Sequence, residues 1–278
     1  MVAGSIPSDL HFFLFFSFTF ITLIDSNVFN PGLYFQCLVF EESMLKIVFL
    51  SFLGLSTNKK SIHPRERLLI FLFHVGHNPT YEVSGYSHDI SYGVIQESIM
   101  VVSDVLYKYL VPNYIKTPTP QEAEASANKF KEEGFPAKAI WACLDGTHIL
   151  VCPPKDSKDT YFNRHRTQSL NVLLLVDAYG IFRHCNASAP GSVHDSAIFM
   201  NSRLYRKLED WSQRNLPFKF AVIAGDSAFR RKLKCMCVPF PLAEADQDEM
   251  KKLFNLWFCK VRATIERYIG ILKVLDLA

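Results

Sequence analysis

No lysine or arginine precedes Lys46 in this chain. A secretory signal needs a basic start and a small-x-small cleavage site. The apolar stretch "LHFFLFFSFTFITLI" (10–24) has neither, and it runs into "LIDSN". It is also shorter than the roughly 20 residues of a membrane-spanning helix, and the second run, "MLKIVFLSFLGL" (44–55), is shorter still. Membrane insertion is therefore not expected. The seven cysteines (37, 143, 152, 185, 235, 237 and 259) are odd in number and contain no C-x-x-C pair. That excludes a zinc ribbon and a disulfide framework, and it points to reduced thiols, mostly in the core of an intracellular protein. Internal repeats and low-complexity tracts are missing too, so a solenoid is excluded.

What is present is the composition of a globular protein: 278 residues, 49% apolar and 21% charged. That length suits one sizeable domain and a smaller one. The net charge of +3 is unevenly spread. Residues 1–58 hold one base, Lys46, and four acids, Asp9, Asp25, Glu41 and Glu42, so the excess of bases lies in 59–278. An excess of that sign favours an anionic partner, although many soluble domains carry as much.

Three regions follow: an apolar extension of unclear status over 1–58, a helical region over 59–136, and a mixed region over 137–278. "SIHPRERLLIFLFHVG" (61–76) has Pro64 near a helix start and apolar residues at helical spacing up to Gly76. "TYEVSGYSHDISYGVIQESIMVVSDVLYKYLV" (80–111) reads as a short helix, a turn at Gly85 and a longer helix from near Ser91, the outline of a helix-turn-helix. Its second helix carries Gln96, Glu97 and Asp104 where phosphate binding would call for bases. A further helix over 118–136 has Pro120 at its start and Gly134 after its end. Beyond Pro136 the pattern changes. Strands are expected in "AIWACLDGTHILVCPP" (139–154), twice in 169–191 around "AYG", and in "FKFAVIAGDSAF" (218–229). Helices are expected over 194–214 and 248–273.

Two of these strands carry an acid where burial should exclude it: Asp145 after "AIWACL" and Asp226 after "FAVIAG". A carboxylate on a mostly buried strand costs several kcal/mol unless it is paired, hydrogen-bonded or bound to a metal. If the first and fourth strands were neighbours, the two acids would emerge at one end of the sheet. Glu266, at the border of the stripe formed by Val261, Ile265, Ile269 and Leu272, would complete a three-carboxylate pocket for Mg²⁺ or Mn²⁺. Two such ions can activate water and stabilise the leaving oxygen of a phosphodiester. Asp195 in "GSVHDS" is the alternative ligand, though it also suits the start of a helix. Asp177 in "VDAYG" suits a hairpin turn. His148 and Arg267 lie close in sequence to the acids and could hold phosphate oxygens. "FRRKLK" (229–234), with Arg230 and Arg231, could track a nucleic-acid backbone. Plain structural roles stand beside these: Asp145 as a turn residue before glycine, Asp226 as a cap, and Glu266 paired with Arg262 one helical turn earlier.

From about Ser61 onward the chain resembles the PIF/Harbinger transposases and their domesticated nuclease relatives, part of the DDE superfamily of endonucleases. The matching stretches are "YIKTPTPQEAEASANKFKEEGFP", "LDGTHI", "YFNRHRTQSLNVLLLVDAYGIF", "APGSVHDSAIF", "AGDSAF" and "RATIERYIGILK", in the family's order. The resemblance implies an α/β fold with an RNase H-like mixed sheet flanked by helices, preceded by a helix-turn-helix-like region. It also implies metal-dependent DNA cleavage by a DDE triad formed by Asp145, Asp226 and Glu266. Phosphate contacts would come from His148, Arg262, Arg267, Arg230 and Arg231, and a separate DNA-binding protein is a possible partner. A nuclear location, with cytoplasm as the alternative, is expected, and no small-molecule cofactor. Two departures from the family are visible: where the family follows the "GDS" strand with an aromatic and a proline, this chain runs "GDSAFRRKLKCMC" before "VPFP", and only 12 residues follow Glu266 where active members continue. A domesticated binding module that no longer cuts is the alternative reading.

Overall fold

The computed structural model describes residues 62–77, 79–109, 111–136, 138–213, 221–229 and 233–276. The apolar runs at 10–24 and 44–55, and Arg230 and Arg231, lie outside the described residues. Among the described residues no helix is long and apolar enough to cross a membrane. These residues divide into two compact units. One ends at Tyr114 and also takes the chain from Ile271 onward; the other is Ile115–Gly270.

The first unit contains α1 (Pro64–His77), α2 (Tyr81–His88), α3 (Tyr92–Tyr109) and a single turn, α4 (Val111–Tyr114). Thr80 caps α2 by accepting from Val83 N–H. Gly85 does not make the turn between α2 and α3; it lies inside α2. The turn falls at Asp89, whose φ of 55° is the left-handed cap conformation that a short polar side chain tolerates. Glycine is needed at 85 for another reason: a Cβ there would stand 2.7 Å from the carbonyl oxygen of Ile90 as the chain folds back. Gln96, Glu97 and Asp104 are exposed along α3, so its outer face is acidic and poorly suited to phosphates.

The second unit is built on five strands: β1 (Ile140–Leu150), β2 (Ser169–Asp177), β3 (Phe182–Pro190), β4 (Val222–Ala224) and β5 (Met236–Cys237), in the order β3-β2-β1-β4-β5. β2 is antiparallel to β1 and β3, while β4 is parallel to β1 and to β5. β2 is buried at every position, as its near-continuous apolar run requires. The first and fourth strands are neighbours, as the paired acids anticipated. β5, two residues long, has no signal of its own in the sequence.

The helices around the sheet are α5 (Pro120–Glu132), α6 (Asp195–Met200), α7 (Arg203–Gln213), α8 (Leu242–Ala245) and α9 (Glu249–Asp276). α5 opens on a reciprocal capping box between Thr119 and Glu122, with Pro120 in its first turn. Its small residues allow close approach to the sheet: Ala123 and Ala127 are fully buried, and Ser126 Oγ donates to Trp141 O (2.6 Å) while accepting from Ala178 N–H (2.9 Å). The single helix expected over 194–214 is two, because the chain breaks at Asn201 and Ser202. The Ser202 hydroxyl accepts from Tyr205 N–H (3.0 Å) and so restarts the helix as α7. Ala142, Leu144, Leu173, Leu175 and Ile223 meet Ala123, Ala127, Phe199, Leu204 and Leu208 in one core on this face. On the opposite face the Cys143 thiol donates to Val261 O (3.4 Å), which sets α9 against β1. Among the described cysteines Cys143 and Cys235 are buried, Cys185 and Cys237 half-buried, and Cys152 and Cys259 exposed; none is disulfide-bonded.

The β2–β3 turn shows why a hairpin needs particular residues. Asp177 Oδ1 accepts from both Tyr179 N–H and Ile181 N–H at 2.9 Å, and Gly180 takes φ +80°. A Cβ on Gly180 would stand 2.1 Å from Tyr268 Cζ on α9. Gly180→Ala therefore meets two obstacles, a left-handed backbone and a ring with no room to yield, and should cost about 2–4 kcal/mol. Urea unfolding of the variant against the wild type checks this.

Candidate active site

The register of β1 and β4 aligns the two aspartates. Cys143 pairs with Ala224 in the parallel ladder, and Asp145 and Asp226 each stand two residues further on. Because side chains alternate along a strand, Asp145 projects to the face of β1 that carries Cys143, the face covered by α9, and Asp226, just past the end of β4, lies close enough to raise its carboxyl. Asp145 accepts from its neighbour Gly146 N–H through Oδ1 (3.0 Å), and Asp226 accepts from Ala228 N–H (2.9 Å) at the start of a 3₁₀ turn over Ser227–Phe229. Asp226 thus also fills the capping role that its position allowed.

Across the acids stands Arg262 of α9. Its Nη2 donates to Asp145 Oδ2 at 2.6 Å, and the same nitrogen lies 3.9 Å from Glu266 Oε1. Both partners of the shorter contact are well shielded, with side-chain exposures of 21% for Arg262 and 16% for Asp145, whereas Glu266 is 62% exposed. Burial pushes the Asp145 carboxyl above the usual carboxylate range. The Arg262 guanidinium and the Gly146 N–H pull it back down, and Asp226 adds to the rise. Arg262 Nε is buried with no hydrogen-bond partner among the described residues. The guanidinium therefore serves the acids rather than its own full set of donors. Among the described residues, no group of three His, Cys, Asp or Glu side chains is arranged as it stands to hold a metal ion. Asp145 and Asp226 share the rim, and Glu266 is separated from Asp145 by the Arg262 nitrogen.

The remaining sequence candidates fall elsewhere. Asp195 is the first residue of α6. Its carboxylate presses on Gly146, where a Cβ would lie 2.4 Å from Asp195 Cγ, and it accepts from Asn171 Nδ2 at 2.5 Å. Gly146 faces away from Asp145 on the strand, so Asp195 sits on the other face of the sheet. His148 shares that other face, pairs with Asn171 across β1 and β2, and places Nδ1 3.0 Å from Ser169 Oγ. Arg267 is exposed, 5.1 Å over the Tyr268 ring. Sequence reasoning anticipated Arg262 as an i,i+4 partner of Glu266 and as a phosphate contact, but not as the cation between the acids. Its contact with Asp145, 117 residues away, has no local signal.

The five-stranded mixed sheet flanked by helices, with aspartates at one end of neighbouring parallel strands, is an α/β architecture of the RNase H-like nuclease type. Residues 144–275 match the family described as DDE superfamily endonuclease. The chain is also similar to the protein named "Putative nuclease HARBI1" of Mus musculus, with 29% identity over 126 residues, 44% of this chain and 34% of that protein. Its counterpart of the same name in Rattus norvegicus is 30% identical over 111 residues, 38% of this chain and 30% of that protein. These matches span only about a third of the length of the curated relatives. No solved structure matches the chain.

Proposed function

We propose that the chain is a Harbinger-type nuclease that hydrolyses phosphodiester bonds of DNA at the rim formed by Asp145, Asp226 and Glu266. The observation that carries this reading is the placement of Asp145 on β1 and Asp226 just past the end of its parallel neighbour β4, each two residues beyond the paired Cys143 and Ala224. The donor set is all carboxylate oxygen, which fits a hard divalent ion such as Mg²⁺ or Mn²⁺. The rim already draws a cation, in the form of Arg262. Asp145, Asp226 and Glu266 would hold the ion, which when bound would lower the pKa of water and stabilise charge on the leaving oxygen.

The chain's own residues supply positioning. The Gly146 and Ala228 N–H groups fix one oxygen of each aspartate, which orients the carboxylates without a further ordering cost on substrate binding. Arg262, released from Asp145, would bind a phosphate non-bridging oxygen at the rim as a charge-assisted partner. On the two-metal reading water would be the nucleophile, and hydrolysis would proceed without a covalent enzyme intermediate. DNA as substrate makes the nucleus the proposed location. The test is incubation of purified protein with supercoiled plasmid and Mn²⁺, with nicking expected and its suppression by EDTA.

Arg262→Ala tests the competition for the rim separately. The variant leaves Asp145 shielded without its counter-charge, so the metal-free protein should lose about 2 kcal/mol of stability. Added Mn²⁺ should raise its melting temperature more than that of the wild type, because no guanidinium has to be displaced. Thermal shifts with and without MnCl₂ measure both effects. An equal response to Mn²⁺ in the two proteins would remove Arg262 from the ion's position. The silent binding-module reading draws on the exposure of Glu266 and on the guanidinium between the acids. It predicts DNA binding with no nicking under any metal.

A further inference from the structure

We propose that the loop over residues 163–167, between the 3₁₀ turn at Lys155–Tyr161 and β2, is a preformed contact for the phosphate backbone of duplex DNA. The contact would be made through Arg164, His165 and Arg166. The inference deepens the nuclease reading and takes from it the position of the scissile phosphate.

Three basic side chains follow one another at the tip, and all three are exposed. Among the described residues neither Arg164 nor Arg166 forms an ion pair with a carboxylate. The like charges of Arg164 and Arg166 on a short loop repel, so an ordered arrangement needs a scaffold. Asn163 provides one. It is 8% exposed, its Oδ1 accepts from His165 N–H (2.8 Å) and Thr167 N–H (3.2 Å), and its Nδ2 donates to Thr167 Oγ1 (2.8 Å) and Ser169 Oγ (3.0 Å). The backbone closes around it, with Asn163 N–H donating to Thr167 O (3.0 Å) and Arg166 N–H to Asn163 O (2.9 Å). Arg166 holds φ +59°, a left-handed conformation that costs an arginine roughly 1 kcal/mol and that glycine or asparagine would adopt more easily. Arg164 Nε donates to His165 Nε2 (3.3 Å), which sets the two side chains beside each other.

The loop is tied to the strand that bears Asp145. Ser169 Oγ meets both Asn163 Nδ2 and His148 Nδ1, and Ser169 pairs with Leu150 at the end of β1. Leu150 is five residues beyond Asp145, about 16 Å along a strand. That distance corresponds to roughly five base pairs of duplex. The tether runs through Ser169 and His148 on the face of β1 opposite Asp145, so a duplex with one phosphate at the acid rim would meet the guanidinium groups by passing over the Leu150 end of the sheet. Guanidinium forks suit phosphate oxygens, and a rigid loop loses little entropy in meeting them.

The test uses the full chain in EDTA, where no cleavage occurs, and reads fluorescence anisotropy of a labelled 30-base-pair duplex over a range of NaCl. Arg164→Gln/Arg166→Gln is expected to bind about tenfold or more weakly near physiological salt, and to lower the slope of log affinity against log salt by about 1.8. Asn163→Ala, which keeps every charge but loosens the loop, should weaken binding and leave the slope in place. Unchanged affinity and slope in the double variant would overturn the proposal, as would a wild-type chain that does not bind duplex. Polyglutamate binding as tight as duplex would also overturn it, in favour of an acidic protein partner. Plasmid nicking by wild type with unaltered binding by the double variant would sink the loop alone. Loss of binding in the double variant, with no nicking by wild type, would keep the loop and sink the nuclease reading.

Discussion

Asp145→Asn is expected to reduce Mn²⁺-dependent plasmid nicking by at least about 10³-fold while leaving the protein folded. Asparagine keeps the shape of the side chain and an oxygen that can accept from Gly146 N–H, so the local β1 geometry survives. What it removes is the negative charge that draws a cation to the rim. Asp226→Asn should behave alike, because Asp226 stands beside Asp145 at the rim and acts on its carboxyl. Glu266→Gln is the more discriminating variant. Its carboxylate is 62% exposed and makes one long contact with Arg262, so its loss should cost little stability. A large fall in nicking would then report a role beyond that pairing. Asp195→Asn lies on the far face of β1 and should retain nicking within about threefold. Equal nicking by wild type and Asp145→Asn would refute the triad, and no nicking by any of them would favour the silent binding module.

The largest stability effect is expected at Asp177. The residue is 1% exposed, and Oδ2 receives Arg183 Nε at 2.8 Å while Oδ1 receives the Tyr179 and Ile181 N–H groups. Arg183, itself 7% exposed, reaches on to Glu122 (3.4 Å), the residue that closes the capping box of α5. The hairpin turn, β3 and the start of α5 are thereby tied by one guanidinium. Burial pushes the Asp177 carboxyl up and Arg183 opposes that rise, so the pair is held by geometry rather than by a large net electrostatic gain. Removing one partner is a different matter. Asp177→Ala leaves the buried Arg183 Nε and two backbone N–H groups without acceptors, and should cost about 3–5 kcal/mol, or on the order of 10 °C in melting temperature. Arg183→Ala should cost about as much by leaving the carboxylate alone. A double variant carrying apolar residues of similar volume should recover much of the loss, since neither charge is then stranded. Urea unfolding of the three variants measures the coupling, and a loss below about 1 kcal/mol in Asp177→Ala would show that solvent reaches the turn.

The parts of the fold that could be read in advance are those with a local cause. Pro120 with the Thr119–Glu122 box announces α5, the alternation after Pro136 announces β1, and the "AYG" turn with Asp177 announces the β2–β3 hairpin. Where the reading slipped, a tertiary contact had overridden a local signal. Gly85 looks like a turn residue because glycines make turns, yet it stays helical and its missing Cβ makes room for the Ile90 carbonyl. The helix over 194–214 has helical periodicity throughout, yet Ser202 diverts the backbone by capping a second helix. β5 is too short for any pattern and exists only because β4 offers it an edge.

Sequence alone determined the candidate acids, since a carboxylate at the end of an apolar run is anomalous wherever the strand lies, and the order of six motifs marked the ancestry. Tertiary structure alone decided their grouping. The parallel pairing of β1 with β4 brought Asp145 and Asp226 to one rim, strand alternation turned Gly146, against which Asp195 packs, and His148 to the opposite face, and α9 set Arg262 between Asp145 and Glu266. Alternation is a property of every strand, but which face meets which helix depends on packing between residues far apart in the chain, and no local pattern encodes that.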